Sequence, residues 1–89
     1  MPAGVPFQHL KPGIRYVVRT AFSDYDGARH ETGEAWIFRS HSFLPYEDGL
    51  SLFVIRPDGS ERQIRLQWRP ETQGPIIDDL ARFIGPAED

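Results

Sequence analysis

The chain has no cysteine. A disulfide framework, a thiolate nucleophile and a cysteine-ligated zinc are therefore excluded. Absence of cysteine is compatible with any compartment. The first residues, MPAGVPFQHLKPG, hold no basic segment followed by a long apolar run, so neither a signal peptide nor a membrane span is expected, and the expected location is cytoplasmic. There is no basic excess either: 10 basic against 13 acidic side chains give a net charge of −3. A surface that binds a nucleic-acid duplex normally carries a marked positive excess, so nucleic acid is not the expected partner. No repeat, low-complexity run or internal linker interrupts the chain.

What is present is enough for one small domain. Eighty-nine residues lie near the lower size at which a core sustains itself, and an apolar share of 39% with two Trp and six Phe supplies bulk. The organising stretch is FLPYEDGLSLFVIRPDG, residues 43–59. Leu50, Leu52 and Val54 alternate with Ser51, Phe53 and Ile55, so apolar residues occupy both sides of a strand. That pattern predicts a central strand covered on both faces. Pro45 to Gly49 reads as a tight turn before it. Pro57-Asp58-Gly59 reads as a type I turn closed by a left-handed glycine, the usual three-residue hairpin. The next strand, residues 60–68, places Arg62, Ile64, Leu66 and Trp68 on one face and polar residues on the other.

Upstream, residues 1–12 carry three prolines and read as an irregular arm, with Phe7 and Leu10 tucked onto the domain and His9 solvated. Residues 13–22 alternate as a first strand. Residues 23–33, SDYDGARHETG, form a long polar connection whose Asp24 and Gly27 bracket a turn; a loop of this length is where function tends to sit. Residues 34–39 make a second strand, with a bulge or bend at 40–42. Downstream, Ile76, Ile77, Leu80, Phe83 and Ile84 follow one stripe of a helix that Gly85-Pro86 stops. The expected fold is mainly β with one C-terminal helix: a small SH3-like barrel of antiparallel strands, or alternatively an open α+β sheet. The expected division is an arm at 1–12, one globular domain at 13–85 and a tail at 86–89.

The run GExW at 33–36, FLPYEDGLSLF at 43–53 and the preceding DYDGxxH at 24–30 resemble a family of small bacterial proteins of unknown function. The resemblance spans roughly residues 13–84. It implies a bacterial source and a stand-alone small domain, and it carries no assigned activity or catalytic residue.

Several constellations compete with plainer roles. Asp24, Asp26, His30, Glu31 and Glu34 crowd one loop, a spacing that suits a divalent cation. The pattern lacks the third acidic position and the distant glutamate of a calcium loop, and Asp and Gly are ordinary turn residues. Ser40 and Ser42 adjoin His41, but neighbours on a strand point to opposite faces, and no nucleophile-elbow motif is present. An enzyme is not expected and no cofactor is called for. Among the aromatics, Trp36, Phe43 and Trp68 have core packing as the plainer role, while Tyr25 and Tyr46 lie in polar turns and suit exposed contacts.

The expectation is a non-catalytic module that binds a protein or peptide. Its contact residues would be Asp24, Tyr25, Asp26, Tyr46, Glu47 and Asp48, whose carboxylates favour a basic partner. The alternatives are a nucleic-acid-binding barrel using Arg15, Arg19, Arg65 and Arg69, and a metal-dependent enzyme built on Asp24, Asp26 and His30.

Overall fold

The computed structural model describes residues 7–44 and 49–87. Strands β1 (Arg15–Val18), β2 (Phe22–Ser23), β3 (Arg29–His30), β4 (Ala35–Leu44), β5 (Gly49–Ile55) and β6 (Glu61–Gln67) precede two short helical segments, α1 (Gly74–Asp78) and α2 (Leu80–Phe83), and a last strand β7 (Ile84–Pro86). Five strands form one sheet in the order β6-β5-β4-β1-β7, and β2 pairs with β3 apart from it. Every pairing is antiparallel. Among the described residues the sheet does not close: β6 and β7 are its two edges.

The organising stretch lies where the pattern placed it, with β5 flanked by β4 and β6. Leu50, Leu52 and Val54 are all at most 1% exposed. Across the β5–β6 hairpin Gly59 adopts φ +89°, its N–H bonds the Arg56 carbonyl, and Arg56 N–H bonds the Ser60 carbonyl. Asp58 Oδ1 accepts both the backbone N–H and the hydroxyl of Ser60. The expected covering of both faces of β5 is not found. Phe53 is 37% exposed, because the helical segments and the arm all pack on the opposite face.

A bulge sets which side chains β4 turns inward. Phe38 pairs with Val54, but the next pair is Ser40 with Phe53, leaving Arg39 as the extra residue. One inserted residue reverses the alternation beyond it. Trp36 and Phe38 face the core before the bulge; His41 and Phe43, opposite Leu52 and Leu50, take the same face after it. There Phe43 meets Trp68 edge-on at 5.7 Å, and Phe7 meets both Trp68 at 6.1 Å and His41 at 4.8 Å. Trp68 Nε1 donates to Asp78 Oδ1 at 2.9 Å. The strand expected at 34–39, with a bulge or bend at 40–42, thus runs on through its bulge as one strand of ten.

Three other boundaries differ from the pattern. The first strand ends at Val18 rather than at residue 22, since Arg19 N–H bonds the Phe83 carbonyl and draws the chain out of the β1–β4 ladder. The single C-terminal helix is two short segments separated by Asp79 at φ −128°, ψ 42°. Its stripe is still satisfied: Ile77, Leu80 and Ile84 are buried, and Ile76 and Phe83 pack against them. Ile84 does so from an edge strand, where Pro86 lacks only an N–H that the edge does not need. Finally, the arm is part of the domain from Phe7 onward. Leu10 is fully buried, Phe7 and Leu10 exchange backbone hydrogen bonds, and Gln8 Nε2 donates to the Ile77 carbonyl. His9, expected as solvated, donates from Nε2 to the Ile84 carbonyl at 2.7 Å.

Candidate functional site

The long polar connection folds into the β2–β3 hairpin, and one buried trio holds it. His30 has no solvent exposure. Its Nε2 lies 2.8 Å from Asp24 Oδ2 and its Nδ1 lies 2.7 Å from Glu34 Oε2. A ring nitrogen and a carboxylate share a hydrogen bond only through a proton between them, so the trio holds two protons. Glu34 Oε2 also accepts Trp36 Nε1–H at 3.2 Å, Arg62 Nη2 stands 3.9 Å from Asp24 Oδ2, and the Phe22 ring stacks on His30 at 4.9 Å. Satisfied networks of this kind rigidify the segments they join. The remaining oxygen of Asp24, Oδ1, accepts Ala28 N–H at 2.9 Å, while Gly27, at φ +87°, donates to the Asp24 carbonyl. The turn bracketed by Asp24 and Gly27 is therefore built as the sequence indicated.

At the tip of this fixed hairpin, Tyr25 is 51% exposed. Its N–H bonds the Arg65 carbonyl on the outer edge of β6 at 2.7 Å. The Arg65 guanidinium lies 5.9 Å from the Tyr25 ring centre, and Arg65 also pairs with Asp26 at 3.4 Å. Beside Tyr25 runs a groove of about 400 Å³ lined by Leu44, Gly49, Ser51, Arg65 and Arg69, among others. Leu44 and Gly49 are the residues on either side of 45–48. Tyr46, Glu47 and Asp48 themselves lie outside the described residues.

The six residues expected to form one acidic face thus separate. Asp24 is 4% exposed and its carboxylate is fully engaged, so it is a structural residue and offers nothing to a partner. Asp26 is exposed but paired with Arg65. Tyr25 is the described member that faces solvent in the groove, and the charged side chains that line the groove among the described residues are arginines. Sequence reasoning had not joined Leu44, Ser51, Arg65 and Arg69 to Tyr25. The alternation of β6 put Arg65 on its wet face, which was the available signal; the meeting with Tyr25 is a tertiary contact.

The other constellations come apart as well. Arg65 and Arg69 share the groove, but Arg15 lines a separate hollow, and Arg19 reaches the Pro86 carbonyl at 3.1 Å. Asp26 does not join Asp24 and His30, and among the described residues no group of three His, Cys, Asp or Glu side chains is placed to hold a metal ion. Ser40 and Ser42 oppose Phe53 and Ser51 on the outer face, while His41 opposes Leu52 on the inner one. Trp36 is core, at 2% exposure, whereas Phe43 and Trp68 remain about a third exposed.

The fold and groove describe a small, mainly β domain with an open surface groove. By sequence the chain belongs to a family described as a domain of unknown function (DUF3601), which matches residues 7–85. That span begins at Phe7, where the arm joins the core. Among solved structures the chain is similar to an integron cassette protein from the mobile metagenome of Vibrio cholerae. The two are 42% identical with a TM-score of 0.85, over 89% of this chain and 87% of that one. No curated protein matches the chain. Among the described residues no helix is long and apolar enough to cross a membrane.

Proposed function

We propose that this protein is a non-catalytic interaction module that holds an extended segment of a protein partner in the groove beside Tyr25. One observation carries the reading: a half-exposed tyrosine on a rigid hairpin shares a groove with Leu44 and Gly49, the residues on either side of 45–48. Tyrosine offers large, rigid contact area with a polar end, which makes it an effective anchor at interfaces. The groove's volume falls in the range of about 300–1,000 Å³ typical of ligand sites. The hairpin from the first long loop reaching the β6 edge also supports an SH3-like relationship, a class in which such loops flank peptide grooves. A preference for basic segments rests on Glu47 and Asp48; Arg65 and Arg69 add donors for the segment's carbonyl and carboxylate groups.

A second reading has its own support. Arg65 over the Tyr25 ring, with Arg69 in the same groove, is an arrangement that stacks and neutralises single-stranded nucleic acid. One experiment separates the two. A displayed random-peptide library and a labelled oligothymidylate are each applied to the wild-type chain and to Tyr25→Ala. Peptides retained by the wild type and lost by the variant support the module. Salt-sensitive retention of the oligonucleotide alone supports the second reading. Retention that ignores Tyr25→Ala, or none, removes the groove as the site.

A further inference from the structure

We propose that the bare face of the five-stranded sheet is a self-association surface, on which a second copy of this chain packs about a two-fold axis. The face is apolar beyond what the single chain uses. Ile37 and Phe53 are each 37% exposed there, and Ile55, Val17 and Ala35 are only partly covered. Leu10 of the arm, Ile77 of α1 and Leu80 of α2 belong to the opposite face's core. Phe53 and Ile55 give β5 its doubly apolar pattern, yet among the described residues nothing of this chain covers them. An apolar patch rimmed by charge marks an interaction surface more often than a solvated face.

The charges at its rim select the occupant. The ladders align Arg15 with Ile37, Ile37 with Ile55, and Ile55 with Glu61, making one row across β1, β4, β5 and β6. The row reads cation, apolar, apolar, anion. Rotation about an axis parallel to the strands, between β4 and β5, lays this row on its own reverse. Ile37 then faces Ile55, and Arg15 faces Glu61, each contact occurring twice. This is the self-complementarity that an isologous interface requires. A two-fold axis running across the strands would instead set Arg15 against Arg15, so the charges disfavour it. Glu61 already accepts Arg39 at 2.6 Å on the surface, and a carboxylate has acceptor sites for a second guanidinium. Aligned sheets facing one another are a standard β-sandwich arrangement.

The relief of the face suits such packing. Hollows of about 350 Å³ beside Arg15, Ile37, Ile55 and Pro57, and of about 580 Å³ beside Arg39, Phe53, Glu61 and Gln63, border the apolar ridge. A partner's ridge can enter them. The Tyr25 groove lies on the same outer face, past Ser51 and Arg65 toward Leu44 and Arg69, and meets the ridge at Gln63.

Sedimentation equilibrium of the full chain over a wide concentration range tests this, with thermal unfolding run on each variant. The wild type is expected to dimerise. Phe53→Glu should weaken the dimer at least tenfold, with Phe53→Ser as the milder variant if the first does not fold. Arg15→Glu and Glu61→Arg should each weaken it, and the double variant should recover most of the loss. A wild type that stays monomeric throughout overturns the proposal. So does a dimer indifferent to changes at Phe53, or a double charge reversal no better than the single ones.

Discussion

His30 Nε2 stands 2.8 Å from Asp24 Oδ2 across the β2–β3 hairpin, with both side chains almost wholly shielded from water. Glu34 closes the trio on the other ring nitrogen. Deleting the imidazole strands two carboxylates, one of them buried, and uncompensated buried charge is among the costliest defects a mutation can leave. His30→Ala should lower stability by about 3 kcal/mol or more in urea unfolding. An unchanged midpoint would mean the trio is dispensable and the hairpin is held by its backbone bonds alone.

The C-terminal segments should matter for packing despite their shortness. Neither has a side-chain cap, and helices of four or five residues have no stability of their own. Their contribution is Ile77 and Leu80, at 0% and 1% exposure. Leu80→Ala should cost about 2–5 kcal/mol, as large-to-small changes in a packed core do. Circular dichroism should barely change, because so little helix is at stake.

Arg39 is the extra residue of β4, so its deletion and its truncation test the bulge and the ion pair separately. Without it β4 alternates strictly against β5, and His41 and Phe43 stay opposite Leu52 and Leu50 on the inner face. Deleting Arg39 should therefore leave Phe43 against Trp68 and Trp68 fluorescence close to that of wild type; a large change would mean that the bulge itself positions Phe43. Arg39→Ala keeps the bulge and loses only an exposed ion pair, so it should stay within about 0.5–1 kcal/mol of wild type.

Asp58 gives the hairpin a pH dependence of known sign. Bonds from the Ser60 hydroxyl and N–H, with Arg56 nearby, hold its carboxyl below the ordinary value of 3.8. The folded state thus favours the ionised form. Its contribution is complete above 3.8 and is lost as pH falls through the lower folded value. Asp58→Ala should be less stable than wild type at neutral pH, with the gap narrowing in strong acid. A gap of constant size across that range would contradict the assignment.

Much of the fold was written in local pattern. The alternation of β5 and β6, the Pro57-Asp58-Gly59 turn and the Asp24–Gly27 turn depend on neighbours in sequence, and each was legible. What escaped depends on contacts between distant segments. Arg19 leaves the ladder because Phe83 offers a carbonyl. The stripe of Ile77, Leu80 and Ile84 reads as a helix, yet tertiary packing satisfies it with two turns and a strand. Asp24 looked like a surface acid because Asp is common in turns; only the fold brings His30 over it. The partial exposure of Phe53 was hidden by the same apolar pattern that made β5 look central.

Tyr25 is where stability and the proposed binding should part. Its backbone N–H, not its ring, ties the hairpin to β6, so truncating the side chain leaves that bond intact. The ring is half exposed and loses only its contact with Arg65. Tyr25→Ala should therefore shift stability by no more than about 0.5 kcal/mol, as surface changes away from special features do. Binding should respond differently. An aromatic anchor in a groove commonly costs about 2 kcal/mol or more when truncated, roughly thirtyfold in affinity. Leu44→Ala, in the same groove, should weaken the same ligand, whereas His30→Ala should lose binding only as far as it loses the fold. Titration calorimetry with a retained peptide, paired with urea unfolding of each variant, measures both quantities. A Tyr25→Ala variant that is markedly destabilised yet binds normally would reverse the roles assigned to ring and backbone.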